Sequence, residues 1–306
     1  MKRVCIFSPA TVANVSCGFD ALGFALENIG DEITVALTQN PGIKITKIKG
    51  ATLPKDPKKN VVGVVAEAML AALDKNIGLE IAITKKVKPG SGLGSSASSA
   101  AGMAFAVNEL MNRPFSQLEL TEFARLGEQL ACGSPIADNV AAAIYGGFVL
   151  VRSYNPLEII KLPVPEKLWV AVVHPQIEIK TETARKILPA TITVTNSVKQ
   201  SANLAGLISG LYTDNYGLIS RSLEDVIAEP YRKKLIPCFD VVKEQCMTAN
   251  ALGVGISGSG PTIFALCKGE TTANKVAKIM KNIYAHQNIE HKCYVSKINQ
   301  KGSKVL

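Results

Sequence analysis

Val87-Lys88-Pro89-Gly90-Ser91-Gly92-Leu93-Gly94-Ser95-Ser96-Ala97-Ser98 carries three glycines at alternate positions, followed by a run of small hydroxyl residues. Ahead of it, Leu79 to Val87 alternates, with Leu79, Ile81 and Ile83 on one side and Glu80 and Thr84 on the other, which predicts a strand. Behind it, Ala97 to Met111 is Ala-rich and predicts a helix. In the order strand, glycine loop, helix, glycines let backbone N–H groups converge without side-chain clash. The helix N-terminus adds partial positive charge. Together these form a phosphate cradle, and the Ser95 and Ser96 hydroxyls can reach phosphate oxygens or a magnesium ion. Two better-known loops do not match. The dinucleotide fingerprint places its third glycine further along, and no Lys follows Gly94 as a P-loop requires. A bare loop of this type also serves as a tight turn; the Ser-Ser-Ala-Ser-Ser run from Ser95 gives it its chemical content.

On the N-terminal side, Val4 to Phe7 reads as a strand ended by a turn at Ser8-Pro9. Ala10 to Phe24 is too polar and glycine-dotted for a plain core element. Ile33 to Leu37 and Ile43 to Ile48 read as strands of a hairpin or meander around Asn40-Pro41-Gly42. Val61 to Leu73 has helical spacing. On the C-terminal side, Gln117 to Leu130 is a helix whose Ser116 and Glu119 form a capping-box pattern. Asp138 to Ile144 is a short helix stopped at Gly146-Gly147, and Phe148 to Val151 is a strand. Asn155 to Pro165 is rich in turn residues, which sets the expected division at 1–155 and 156–306. The second half mixes strands (Leu168 to Val173, Thr262 to Leu266) with helices around Glu182 to Ile187, Val198 to Tyr212, Gly217 to Val226, Phe239 to Asn250 and Thr272 to Ala285. The whole reads as an α+β fold of two domains.

The chain has 306 residues, 47% apolar and 19% charged, enough for a large core and inconsistent with disorder. Its net charge of +9 suits nucleotides, nucleic acids or acidic membranes, and is also an ordinary solubility charge. Seven scattered Cys without a C-x-x-C pair read as reduced thiols of a reducing cytoplasm. His286, His291 and Cys293 match no common zinc spacing. The apolar run after Met1-Lys2-Arg3 is too short for a signal peptide, and no run of about 18 apolar residues predicts a membrane span.

The loop from Val87 to Ser98 resembles the ATP loop of the galactokinase/homoserine kinase/mevalonate kinase/phosphomevalonate kinase (GHMP) superfamily of small-molecule kinases. Two further segments agree in order and spacing. Ser8-Pro9-Ala10-Thr11-Val12-Ala13-Asn14-Val15-Ser16-Cys17-Gly18-Phe19-Asp20-Ala21-Leu22-Gly23 resembles the first motif of homoserine kinases in particular. Gly255-Ile256-Ser257-Gly258-Ser259-Gly260-Pro261-Thr262 resembles the third motif of the superfamily. Two departures stand out: the loop proline is Pro89 where many members have it at the place of Lys88, and Ile136 stands where homoserine kinases carry a His.

This resemblance implies a ribosomal-S5-domain-2-like ATP-binding domain followed by a ferredoxin-like α/β sandwich, with ATP and Mg2+ as cofactors. It implies a cytoplasmic homodimer acting on the side-chain hydroxyl of L-homoserine, with neither nucleic acid nor membrane as partner. Lys88, Pro89, Gly90, Ser91, Gly92, Leu93, Gly94, Ser95, Ser96, Ala97 and Ser98 would hold ATP, with Ser96 and Glu128 on the metal. Asn14, Asp20, Asp138, Asn139, Arg185, Arg232 and Gly258 would contact substrate, and Asp138, Thr181 and Arg185 would serve the reaction. Arginine suits the carboxylate or the transferring phosphate through its planar fork. The residues alone allow plainer roles: Glu128 on a solvated helix face, Asp138 as an N-cap, Asn14 and Asp20 as turn residues, Arg185 in an exposed salt bridge. The third loop is expected to approach substrate or phosphate loop through backbone amides. No segment supplies an evident Asp–Lys base pair. A sister kinase acting on mevalonate-like alcohols, and a nucleic-acid binder, are the rival readings; the chain has no aromatic-interleaved basic stripe for the latter.

Overall fold

A computed structural model describes residues 2–306. In chain order its first half contains β1 (Arg3–Ala13), β2 (Leu22–Thr38), β3 (Gly42–Lys49), α1 (Val61–Ala72), β4 (Gly78–Thr84), α2 (Ser95–Leu110), α3 (Gln117–Cys132), α4 (Asp138–Tyr145), β5 (Phe148–Tyr154) and β6 (Leu157–Leu162). Then follow β7 (Leu168–Pro175), α5 (Thr181–Lys186), α6 (Val194–Tyr212), α7 (Tyr216–Ser222), α8 (Glu229–Arg232), α9 (Phe239–Thr248), β8 (Gly253–Ile256), β9 (Ile263–Lys268), α10 (Glu270–His286), β10 (His291–Lys297) and β11 (Lys304–Val305). The first sheet runs β11-β1-β2-β4-β3, with β5 on β2 and β6 on β5; the second runs β10-β7-β9-β8.

Side-chain alternation stacks these sheets into layers. Ile33 and Val35 of β2 and Ile81 and Ile83 of β4 meet Val62, Val65 and Met69 of α1 and the alanines of α2 in one core. Small residues let α2 lie close: a Cβ on Gly102 would stand 2.8 Å from Ile33 and 3.0 Å from Ser8. In the second sheet, Val170, Val172, Phe264 and Leu266 face the first sheet, where Phe24 and Phe148 pack with ring centroids 4.8 Å apart. Ala171, Val173, Ile263 and Ala265 face the opposite way, onto Val242 of α9 and Val276 and Met280 of α10. Each large aliphatic or aromatic side chain buried this way contributes about 1.5–3 kcal/mol.

Several expectations need correction. The Ser8-Pro9 turn is absent: β1 continues to Ala13 through a register shift between Pro9 and Thr11. Proline, lacking an N–H, is tolerated at such a bulge. The strands at Ile33 and Ile43 do not form a hairpin. Both β2 and β3 pair with β4, β3 in parallel, because α1 makes the crossover between β3 and β4. The helical stretch expected to reach Val226 ends at Ser222. The turn-rich Asn155 to Pro165 segment contains β6, paired with β5. The chain end returns to the first sheet, where Val305 stands opposite Ile6.

Candidate active site

A cleft of about 1070 Å³ opens between the two halves and takes in all three motifs. At its phosphate end, Gly94 is the N-cap of α2 with φ 60° and no side-chain cap. A side chain there would collide with Thr11 Oγ1 at 2.0 Å, so only glycine fits. The loop carbonyls are bound to the protein: Thr11 N–H donates to Leu93 O (3.1 Å), Ser257 Oγ to Gly92 O (2.6 Å) and Thr262 Oγ1 to Ser91 O (2.6 Å). With the carbonyls held and the first turn of α2 uncapped, its orphan amides form an anion-binding nest. The third loop thus meets the phosphate loop through hydroxyls on its carbonyls, and of its amides Gly258 N–H donates to Ala13 O at 3.1 Å, while Ser259 lines the cleft.

Pro89, Gly90, Ser91, Gly92, Gly94, Ser95 and Ser96 line the cleft. Lys88 is exposed, while Leu93 and Ala97 are buried in hydrophobic cores. Ser98 donates its hydroxyl to Ser8 O (2.8 Å), and the Ser95 hydroxyl donates to Val87 O (2.8 Å), so of the two adjacent cleft serines Ser96 is the one whose hydroxyl is not taken up by a backbone carbonyl.

Beneath the loop lies a buried ion pair for which the sequence carries no signal. The Lys85 Nζ donates to Asp31 Oδ2, to Ser95 O (2.7 Å) and to Ser99 Oγ (3.0 Å). Asp31 Oδ1 accepts the Lys86 N–H (2.8 Å) and the Val87 N–H (3.0 Å). The pair ties the middle of β2 and the residue just after β4 to the start of α2. Lys85→Met leaves a buried carboxylate without its cation and is expected to destabilise the fold by about 3–5 kcal/mol. Adding Asp31→Leu should recover part of that loss in urea unfolding; equal stability of Lys85→Met and the parent would contradict the role.

Glu128 projects from α3 into the cleft. It is buried, its Oε1 has no protein partner, and both it and Ser96 line the cleft. Burial pushes its pKa up to about 7, opposed by the Ser96 hydrogen bond and the Lys85 charge. An orphan carboxylate oxygen beside a hydroxyl, at the mouth of an anion nest, fits a hard cation that keeps most of its ligands from water and phosphate. The solvated-face reading of Glu128 is thereby excluded.

At the substrate end Asp138 is the first helical residue of α4, whose N-cap is Ala137, so it is not the N-cap. Its Oδ1 accepts the Asn139 N–H at 2.7 Å, and burial, then the nearby Asp20 charge, push its pKa up to about 7. Asn139 Oδ1 accepts from Thr11 Oγ1 at 2.7 Å. The preceding loop is left-handed at Asn14 (φ 68°), Val15 (φ 41°), Ser16 (φ 58°) and Asp20 (φ 55°). A β-branched residue in that region is strained and persists only where contacts over-determine it. Asn14 supplies two: its Nδ2 donates to Gly258 O (3.0 Å) and its Oδ1 accepts the Asp20 N–H (3.0 Å).

Arg185 Nη2 donates to both Asp20 oxygens at 2.9 Å, an inter-element pair and not a helix-surface one. Arg232 is buried and donates to Ala184 O (3.0 Å) and Gly258 O (2.9 Å). The two guanidiniums share Phe19, standing 5.7 and 5.2 Å from its ring centroid, a favourable cation–π contact for each. Thr181 lies 3.5 Å from Ser259, hydroxyl to hydroxyl. Every residue expected to contact substrate thus lines the cleft. Ile136 lines it too, as do Leu53, Pro54, Val61 and Leu130, which form an apolar end that sequence reading missed. Asn60, capping α1 and bonding Pro54 O, was its one legible marker.

Residues 60–147 match the model of the GHMP kinases N terminal domain and residues 207–286 that of the GHMP kinases C terminal domain. The homoserine kinase of Chlorobium phaeobacteroides is 43% identical over 320 residues, covering 100% of both chains. That of Methanococcus maripaludis is 40% identical, covering 97% of this chain and 100% of its own. A crystal structure of homoserine kinase from Cytophaga hutchinsonii superposes with a TM-score of 0.97 at 48% identity, over 100% of this chain and 98% of that one. Identity at this level along the full length, on the same two-domain α+β fold and with all three motifs meeting in one cleft, is that of close kin: the chain belongs to the homoserine kinase family of GHMP kinases.

Proposed function

We propose that the protein transfers the γ-phosphoryl group of ATP to the side-chain hydroxyl of L-homoserine, giving O-phospho-L-homoserine and ADP, the step that leads toward threonine. The observation that carries this reading is the charge pattern opposite the phosphate loop: Asp20 and Asp138 beside Arg185 and Arg232, all lining one cleft. An amino-acid zwitterion satisfies both signs, its ammonium on the carboxylates and its carboxylate on the guanidiniums. A mevalonate-like alcohol offers no ammonium and would leave Asp138 buried without a cation.

The apolar end at Leu53, Pro54 and Val61 takes the base, and the nest at Gly92 to Ser96 takes the phosphates. Glu128 and Ser96 would hold Mg2+, which when bound offsets charge on the phosphate oxygens. The homoserine oxygen forms a bond to the γ-phosphorus as its hydroxyl proton passes to an oxygen of the transferring phosphoryl group and on to water, the bond to the bridging oxygen breaks, and ADP leaves with the electrons of that bond. Lys85 does not serve as a base partner, since its Nζ already donates to Asp31, Ser95 and Ser99. Phosphoryl transfer rests mainly on positioning and charge stabilisation, so Asp138 binds and orients the substrate in this reading. We further assign the ATP-binding domain to 1–155, which also carries Asn14, Asp20, Asp138 and Asn139, and the C-terminal kinase domain to 156–306, in a cytoplasmic homodimer. Among the described residues no helix is long and apolar enough to cross a membrane.

Both working carboxylates have pKa values pushed up to about 7, so each is protonated, and silent, below that pH. kcat/KM for homoserine is therefore expected to rise with pH and level off above about 7. Raising Mg2+ should move the Glu128 share of this limb to lower pH, because cation and proton compete. A profile flat from weakly acid to weakly alkaline pH would contradict it. The product itself is the test of the reaction: phosphorus NMR should show one new phosphomonoester coupled to the side-chain methylene of homoserine. Phosphate released with no such ester would mean ATP hydrolysis and would overturn the reading.

A further inference from the structure

Tyr154 ends β5, remote in sequence from all three motifs, yet its hydroxyl joins two of the segments that carry the site. Its Oη donates to the Asp20 carbonyl at 2.9 Å and accepts the Ala137 N–H at 3.3 Å. Asp20 and Asp138 are the two carboxylates of the substrate end, and each sits where its backbone needs outside support. Asp20 is left-handed, with φ 55°. Asn14 Oδ1 holds its N–H and Tyr154 holds its carbonyl, so both sides of that strained residue are pinned. Ala137 is the N-cap of α4 and has no side-chain oxygen to cap with. Tyr154 supplies a partner for the cap's own amide, immediately before Asp138.

The ring is held in its turn. The Arg125 guanidinium lies 5.4 Å from its centroid, donates through Nε to Pro135 O at 2.8 Å and pairs with Glu122 at 2.6 Å. The ring is exposed at one edge, yet desolvation on its inner side, with the nearby Asp138 charge adding to it, pushes the phenol pKa further up, and the hydroxyl keeps the proton it donates to Asp20. Neither Tyr154 nor Arg125 lines the cleft.

We propose that Tyr154 is a positioning residue that sets the spacing and orientation of Asp20 and Asp138, and through them the affinity for the substrate ammonium, without touching substrate or ATP. The inference rests on the amine recognition proposed above. Arg125 acts one step behind, fixing the ring.

Tyr154→Phe removes one hydroxyl and keeps the ring. Both hydrogen bonds of that hydroxyl are lost, and with water able to replace part of them the effect is about tenfold. The KM for homoserine should rise about tenfold, while kcat and the KM for ATP stay within about twofold. Arg125→Met should shift the homoserine KM in the same direction by less, and add little on top of Tyr154→Phe. A second measurement needs no substrate: in Tyr154→Phe the amides of Asp20, Ala21, Ala137 and Asp138 should exchange hydrogen about tenfold faster, with those of Gly92 to Ser96 unchanged. An unchanged homoserine KM with unchanged exchange would overturn the proposal. So would a parallel rise in both KM values, which marks general loosening. Should the parent fail to turn over homoserine, the functional reading falls, and the exchange pattern still decides whether Tyr154 holds the two segments.

Discussion

Glu128→Gln should abolish most activity and at the same time stabilise the protein. The carboxylate is buried with an unpartnered oxygen, and burial raises its pKa from 4.5 to about 7. A group whose folded pKa lies above its unfolded value favours the folded state below the unfolded pKa, and that advantage is lost as pH rises through the folded pKa. Ionised Glu128 therefore weakens the metal-free fold above about pH 7, on the order of 1–3 kcal/mol. Glutamine has the same shape and no charge to desolvate. The melting temperature of the metal-free variant should exceed the parent's by about 2–4 °C for each kcal/mol regained, at pH 8 and not at pH 4. Added Mg·ATP should stabilise the parent by more than the variant, which keeps the phosphate nest and loses one ligand of the metal. The activity loss should be about 10²–10³-fold in kcat, the scale of one preorganised electrostatic contact removed from an active site. A variant that retains full turnover, or that melts below the parent at pH 8, would contradict the role of Glu128. Stability given up at a working site is a familiar compromise.

Arg185→Met is expected to raise the KM for homoserine by about 10²-fold and to leave the KM for ATP within about twofold. Arg185 holds both oxygens of Asp20 at 2.9 Å and lies over Phe19. Methionine keeps the aliphatic length but offers no fork to a carboxylate. The loss combines two effects: the substrate carboxylate loses a bidentate partner, and Asp20 loses the cation that orients it. A double-mutant cycle with Asp20→Asn separates them. If Arg185 works partly through Asp20, the double variant should be less impaired than the product of the single effects. Strict multiplicativity, or an equal rise in the KM for ATP, would place Arg185 in another role.

The parts of the site legible in the sequence are those whose chemistry is local. The loop from Gly90 to Ser96 announces itself because left-handed backbone at Gly90, Gly92 and Gly94 admits only glycine without strain. The capping box at Ser116 and Glu119 is realised, each residue bonding the other's backbone N–H. The helix from Asp138 and its stop at Gly146 were equally readable. What escaped depends on partners far apart in the chain. Lys85 was read as part of the strand from Leu79 to Val87, which ends at Thr84, and its partner Asp31 lies 54 residues away. Ser257 and Thr262 are ordinary members of a glycine-rich turn until Gly92 and Ser91 come within hydrogen-bond distance. Tyr154 shows nothing in sequence of its bond across 134 residues to Asp20. The full length of β2 was hidden for a related reason: Gly23 and Gly30 interrupt its pattern, yet each admits close approach of a neighbouring backbone, Asp138 O at Gly23 and Ser8 O at Gly30. The short β6, β10 and β11 are defined by the strands they pair with more than by their own residues.

The most direct test of the account is ADP release with Mg·ATP, measured in parallel on L-homoserine, mevalonate and galactose. Rapid turnover on L-homoserine, with the other two at least 100-fold lower in kcat/KM by roughly the discrimination a buried charge pair confers, is the result expected from the paired carboxylates and guanidiniums. Turnover on mevalonate that matches or exceeds that on L-homoserine would contradict it, and would show that Asp138 does not bind an ammonium.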